Sequence, residues 1–120
     1  MNLEEKITKL VDSVKKTSQY KNYKKAKKDF ENDPEAVKIL KNFQKAKSEL
    51  AILKQGNFDG IEDQEKKVKK LTDKVLAKDE IQNYMKSRKQ YKELVEEIAV
   101  SISEGIDFPI KLPEKKSCCG

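Results

Sequence analysis

The chain has 120 residues, of which 40% are charged and 36% hydrophobic, and its formal net charge is +6 at pH 7. This length suffices for one domain with a modest core, and so sparse a core favours oligomerisation as a further source of burial. The sequence contains no histidine, which excludes Ser-His and Cys-His catalytic pairs within one chain. It has neither a membrane-spanning apolar run nor a signal-peptide pattern, so we expect a cytoplasmic protein that does not contact a membrane.

Two amphipathic helices are predicted at the start of the chain. The first carries apolar residues at helical spacing, namely Leu3, Ile7, Leu10, Val11 and Val14. Thr17 and Ser18 are suitable caps for a second helix in the segment QYKNYKKAKKDFE. The apolar face of this second helix contains Tyr20, Tyr23 and Phe30, which are more typical of a core than of stacking platforms for bases.

The opposite face of the second helix is rich in lysine. Seven lysines and no acidic residue lie between Asp12 and Asp29, and four of them share one side of the helix: Lys21, Lys24, Lys25 and Lys28. Such a face suits RNA phosphates, because lysine supplies diffuse positive charge. A solvated helix face, or a genome that simply favours lysine, is the alternative interpretation.

The middle of the chain predicts a helical hairpin. Asp33 as N-cap, Pro34 at the first helical position and Glu35 in the first turn are three consecutive start signals. The apolar stripe that follows comprises Ala36, Ile39, Leu40, Phe43, Ala46, Leu50 and Leu53. We expect Gly56 to end this helix, residues 56–60 to form a turn, and the next helix to begin near residues 61–63 and to end near Ala77.

A long last helix and a tail complete the predicted fold. The helix carries Ile81, Tyr84, Met85, Tyr91, Val95, Ile98 and Ile102, and is expected to end at Gly105. Residues 107–120 contain two prolines and no periodicity, which predicts a flexible tail. The fold class is therefore all-α, a small antiparallel helical bundle with a long C-terminal helix, in which residues 1–106 form the domain.

Arg88, the only arginine, lies within the apolar stripe of the last helix, between Tyr84 and Tyr91. Its guanidinium suits a carboxylate across a helix interface, which makes these three residues candidates for an interface between chains. Extension of the guanidinium over the aromatic rings of its own chain is the alternative. Glu93, Glu96 and Glu97 form an acidic cluster that is more typical of a solvated face than of a metal site.

The only cysteines, Cys118 and Cys119, are adjacent and close to the C-terminus. A disulfide between neighbours closes a strained ring and staples no loop, so a structural role is unfavourable. Two thiolates are half of the ligand set of an iron–sulfur cluster or a zinc site, so these residues are candidates for a site shared between chains. Bystander cysteines are the alternative.

Several segments together resemble one known family. They are SQYKNYKKAKKDFENDPEAVKILKNFQKAKSEL, a turn that contains glycine, KDEIQNYMKSRKQYKELVEEIAVSISEGID, and the terminal SCCG. This pattern covers nearly the whole chain and is similar to the YlbF/YmcA family of small helical bacterial regulators. Cluster-holding relatives space their tail cysteines more widely than the adjacent pair of this chain.

The resemblance implies a non-enzymatic adaptor that forms a homodimer or a heterodimer with a paralogue. It also implies assembly with a YaaT-like protein, a link to ribonuclease Y and mRNA maturation, and effects on competence, biofilm formation and sporulation. An iron–sulfur cluster shared with partner chains would fall to Cys118 and Cys119. The alternatives are an RNA-binding protein that uses the lysine side of the second helix, and a helical scaffold with incidental cysteines.

Overall fold

The computed structural model describes residues 2–113 and confirms the predicted all-α fold. These residues form five helices and no strand: α1 (Leu3–Lys15), α2 (Ser18–Glu31), α3 (Pro34–Gly56), α4 (Ile61–Ala77) and α5 (Asp79–Ile106). The predicted boundaries agree with these limits to within one or two residues. The described residues divide into two compact units, which we call the terminal unit (2–28 and 84–113) and the central unit (29–83).

The central unit is built on the pairing of α3 with α4. Its buried apolar side chains are Phe30, Ala36, Leu40, Ala46, Val75 and Ile81. The amide nitrogen of Gln64 on α4 donates to the backbone oxygen of Ala46 at 3.0 Å and lies 3.3 Å from a carboxylate oxygen of Glu49. These contacts fix the register of the two helices, because each helix supplies one partner.

The predicted N-cap of α3 is confirmed. The Asp33 carboxylate accepts from the backbone N–H of Ala36 at 3.1 Å, and Lys78 Nζ lies 3.1 Å from the same carboxylate and 3.6 Å from that of Glu35. The hydrogen bond from Ala36, followed by the Lys78 ammonium, lowers the pKa of Asp33 below its usual value. The same pair raises the pKa of Lys78. The start of α3 is thereby tied to the corner between α4 and α5.

In the terminal unit, Thr17 forms the corner between α1 and α2. Its hydroxyl donates to the backbone oxygen of Val14 at 2.6 Å and accepts from the backbone N–H of Tyr20 at 3.2 Å. One side chain therefore satisfies an acceptor at the end of α1 and a donor at the start of α2, which is the capping role predicted for it.

Helix α3 ends at Gly56 as predicted, and α5 ends at Ile106, one residue after the predicted Gly105. The left-handed residues are Asn57 (φ 51°) and Asp107 (φ 53°) rather than the glycines one and two positions earlier. In each case the next residue, Phe58 or Phe108, donates its backbone N–H to a carbonyl five residues earlier. Gly56 has a different role, because the Phe58 ring occupies the space that a Cβ atom at residue 56 would need.

Candidate functional site

A cluster of all four tyrosines holds α2 against α5 in the terminal unit. The Tyr23 ring stacks on Tyr91 at 5.2 Å and on Tyr84 at 6.1 Å between centroids, and Tyr20 meets Tyr91 edge-on at 5.6 Å. Burial, together with the neighbouring Tyr20 and Tyr23, raises the pKa of Tyr91 above its usual value. The rings of α2 therefore face inward, where they are unable to serve as platforms for bases.

Tyr84 is a correction to the predicted interface. Its side chain is 1% exposed within the single chain, so it is not accessible to a second chain. The neighbouring Ser87 is also buried and donates its hydroxyl to the backbone oxygen of Tyr84 at 3.0 Å. Ser87 was not predicted from the sequence, because the stripe was traced through apolar residues alone, although three-residue spacing from Tyr84 places Ser87 on it.

Arg88 is partly buried on α5, between Tyr84 and Tyr91 in the sequence. Within residues 2–113 its guanidinium has no carboxylate partner, while other basic residues such as Lys78 and Lys92 form ion pairs. A partly desolvated guanidinium gains most from a bidentate carboxylate. A contact of Arg88 and Tyr91 with another chain stays a prediction.

The apolar face of α1 is exposed in the single chain. This face, defined by Leu3, Ile7, Leu10 and Val11, has exposed fractions of 72%, 51%, 40% and 44%. Near the end of α5, Val100, Ile102 and Ile106 of the same unit are exposed as well. Contiguous exposed apolar residues are typical of contact surfaces between proteins. Met85 and Ile102, which belong to the predicted apolar stripe of the last helix, are exposed as well.

The lysine face of α2, defined by Lys21, Lys24, Lys25 and Lys28, is solvent-exposed throughout. None of its four ammonium groups forms an ion pair within the described part of the chain. Lys27, which lies outside this face, is placed 5.9 Å above the Tyr23 ring. The lysine face therefore presents four ammonium groups to solvent, none of them in an ion pair within residues 2–113.

A polar groove of about 310 Å³ lies beside the tyrosine cluster. It is lined by Ser18, Gln19, Asn22, Gln90, Glu93, Leu94 and Glu97. Glu93 and Glu97 of the predicted acidic cluster thus line the groove together with amide side chains of α2. The third member, Glu96, has its carboxylate oxygen 3.8 Å from Lys92 Nζ. Carboxylates and amides in this arrangement can accept hydrogen bonds from a cationic group.

Residues 2–113 contain no group of three or more histidine, cysteine or acidic side chains arranged to hold a metal ion. No helix in that range is both long and apolar enough to cross a bilayer. The predicted ligands Cys118 and Cys119 lie outside the described residues.

Comparison with known proteins agrees with the helical pattern. The family model described as control of competence regulator ComK, YlbF/YmcA, matches residues 3–107. The chain belongs to the YlbF/YmcA family. The match begins at the first residue of α1 and includes all five helices, so the exposed face of α1 and the tyrosine cluster lie within the family domain. Among the curated proteins and the solved structures, no match to this chain was found.

The YlbF/YmcA family is regulatory, and its description names control of the competence regulator ComK. For a member of this family, surfaces that contact other macromolecules are the features of interest. In this chain they are the apolar face of α1, the lysine face of α2, the edge of α5 around Arg88, and the polar groove.

Proposed function

We propose that this YlbF/YmcA protein is a non-enzymatic, cytoplasmic adaptor that assembles with other chains through the apolar face of α1. The observation that carries the proposal is the exposure of that face, whose four apolar side chains are 40–72% accessible in the single chain. Burying such side chains contributes about 25 cal/mol per Å² of apolar surface, which favours association.

The partner that fits this face is a second copy of the chain or a paralogue. α1 and the exposed residues of α5 belong to one unit, and Arg88 lies on the same helix as the latter. A partner that presents an apolar helix face and a carboxylate would cover the apolar residues of α1 with that face and pair with Arg88 through the carboxylate. Further partners of the proposed assembly are a YaaT-like protein and ribonuclease Y.

The regulatory output that we propose is an effect on mRNA processing by ribonuclease Y, and through it on competence, biofilm formation and sporulation. Support comes from membership of a family described as controlling the competence regulator ComK. An adaptor acts by binding, so this function needs contact surfaces rather than a catalytic group.

The assembly step is tested by light scattering at micromolar concentrations. The variant Ile7→Ser/Leu10→Ser removes apolar area from α1, and Ile52→Ser/Leu76→Ser is the matched control, because its two residues are exposed apolar residues of the central unit. We expect the wild type and the control to be dimeric and the α1 variant to be monomeric. A wild type that stays monomeric, or an α1 variant that stays dimeric, contradicts the proposal.

The regulatory step is tested in cells that lack the native copy. A tagged wild-type chain should co-purify a YaaT-like protein and restore the processing of transcripts that ribonuclease Y cleaves. The Ile7→Ser/Leu10→Ser variant should do neither, while the Ile52→Ser/Leu76→Ser control should do both. Normal transcript processing with the α1 variant contradicts the proposed link.

A shared iron–sulfur cluster is a further part of the proposal. One chain contains two thiols, and such clusters usually have four cysteine ligands, so Cys118 and Cys119 fit a cluster only together with ligands of another chain. The test is anaerobic purification of the wild type and of Cys118→Ser/Cys119→Ser, each with its partner, followed by iron and sulfide analysis. Equal iron in the two samples would identify the chain as a scaffold whose cysteines are incidental.

A further inference from the structure

We propose that the lysine face of α2 binds RNA through its phosphate backbone without reading the base sequence. This contact is separate from the apolar face of α1 that mediates assembly in the proposed function. The choice of RNA among polyanions rests on the proposed link to mRNA processing; the positive surface itself follows from the structure.

Charge is distributed unequally between the two units. The terminal unit contains 14 basic and eight acidic residues, whereas the central unit contains 11 basic and 12 acidic residues. The positive charge of the described chain is therefore confined to one unit. A uniform preference for lysine in the genome does not explain this pattern, because the central unit is also rich in lysine and yet balanced.

Helix α2 differs in its charge pattern from α4, the other lysine-rich helix. α4 also has four closely spaced exposed lysines, Lys66, Lys67, Lys69 and Lys70, but Glu62, Asp63 and Asp73 lie within about one turn of them. On α2, Asp29 lies four residues after Lys25 and Glu31 lies three residues after Lys28, but no carboxylate of the helix lies within one turn of Lys21 or Lys24. Opposite charges one turn apart on a helix neutralise each other, so the positive field is strongest at the Lys21 and Lys24 end of the lysine face, and α4 has no equivalent region.

The geometry of the lysine face suits a phosphate backbone. At about 100° per residue, Lys21, Lys24, Lys25 and Lys28 occupy an arc of about 100°, and they extend for about 10 Å along the helix. All four are exposed, while Tyr20 and Tyr23 face α5. Lysine contacts phosphate as a point charge, and without an aromatic ring on this face no base can stack. Binding should therefore be independent of sequence.

Two other anionic partners fit this face less well. A membrane-surface helix places apolar side chains in the bilayer, but the apolar face of α2 is occupied by the tyrosine contacts with α5. An acidic protein would need carboxylates spaced along a matching face, whereas an RNA strand supplies a regular row of charges by its chemistry.

The test measures the anisotropy of a labelled single-stranded RNA of about 20 nucleotides, which exceeds typical single-domain site sizes. The variant Lys21→Gln/Lys24→Gln/Lys25→Gln/Lys28→Gln is compared with the control Lys66→Gln/Lys67→Gln/Lys69→Gln/Lys70→Gln. Each variant loses four positive charges, so a difference between them in RNA affinity reports where the lost charges lie and not how many are lost.

If all four lysines contact phosphate, wild-type affinity should fall about 50-fold between about 50 and 200 mM salt, since each contact contributes about 0.7 to the logarithmic slope. The α2 variant should bind at least about tenfold more weakly at low salt and with a flatter slope, while the α4 control should keep the wild-type slope. A second RNA of unrelated sequence should bind with the same affinity.

Four results would overturn the inference. They are equal losses in the two variants, displacement of the RNA by an acidic peptide of equal charge, tighter binding to DNA than to RNA, and lysine-dependent binding to phosphatidylglycerol vesicles without RNA binding. Circular dichroism and light scattering of the same samples verify folding and assembly. Failure of RNA binding in an intact dimer thus counts against this inference alone, and failure of dimerisation counts against the proposed function.

Discussion

Helices α1 and α3 begin in the same way and end up in different environments. Each has a side-chain N-cap, since Asn2 accepts from the backbone N–H of Glu5 at 2.8 Å and Asp33 accepts from that of Ala36 at 3.1 Å. Each also has apolar residues at helical spacing. α3 buries Ala36, Leu40 and Ala46, whereas α1 buries no residue at all.

This difference shows that helical periodicity predicts a face and leaves open what covers it. The apolar face of α3 is covered within the chain by α4, so it stabilises the fold. The apolar face of α1 is uncovered, so its burial energy is available for association with another chain. The two helices should therefore respond differently to the same substitution.

The sharpest test of the comparison is leucine to alanine in both helices. Leu40 is 1% exposed and Leu10 is 40% exposed. Leu40→Ala should lower the free energy of unfolding by about 2–5 kcal/mol, because it creates a cavity. Leu10→Ala should change it by no more than about 0.5 kcal/mol in dilute monomer. Urea unfolding measures both, and equal losses would mean that α1 is as tightly packed as α3.

Thr17→Ala should have the next largest effect. The hydroxyl serves the end of α1 and the start of α2, and loss of such a cap costs about 1 kcal/mol. Thr17→Ser keeps the oxygen and is the matched control. Thermal unfolding compares them, and an alanine variant as stable as the serine variant would show that this corner contributes nothing.

The two N-caps differ in their response to acid, because Asp33 titrates and Asn2 does not. The pKa of Asp33 is lowered in the folded chain, first by the Ala36 hydrogen bond and then by Lys78. The contribution of Asp33 to stability is therefore complete above its unfolded pKa of about 3.9, and it is lost as the pH falls through the lower folded pKa. Asp33→Asn should flatten this acid limb in urea titrations at several pH values, and an unchanged limb would contradict the assignment.

The smallest expected effect is at the ends of the helices. Asn57 ends α3 with φ 51°, whereas Lys16 ends α1 in the right-handed region. Asn57→Gly should stabilise by a few tenths of a kcal/mol, because glycine adopts positive φ without a Cβ penalty. Gly56→Ala is the contrasting variant, since it forces Phe58 to move and should destabilise. Calorimetry measures whether each variant is more or less stable than the wild type, and a lower stability of Asn57→Gly would contradict this account.

Much of the fold could be predicted from the sequence, because its local signals agree. The caps at Thr17 and Asp33, the turn after Gly56 and the break near Lys78 all lie where composition indicated. Gly56 ends α3 as predicted, but the positive φ that follows each of these helices is adopted by Asn57 and Asp107, since asparagine and aspartate also tolerate it. The local pattern contained no information on this choice.

The candidate surfaces were less predictable than the helices. The lysine face could be predicted from residue spacing alone, but the excess of positive charge around it depends on how basic and acidic residues are divided between the two units. The exposure of α1 depends on long-range packing, which periodicity does not specify. Tyr84 was assigned to an interface because an apolar stripe looks the same whether its own chain or another covers it.

The tyrosine cluster also makes the protein its own spectroscopic reporter. The chain has four tyrosines and no tryptophan, and all four tyrosines lie in the contact between α2 and α5. Intrinsic ultraviolet emission therefore reports on the terminal unit alone, whereas the far-ultraviolet dichroism of the peptide bonds reports on all five helices. If the two signals are lost at different denaturant concentrations, the terminal and central units unfold in separate steps. No fluorescent label is needed to follow them.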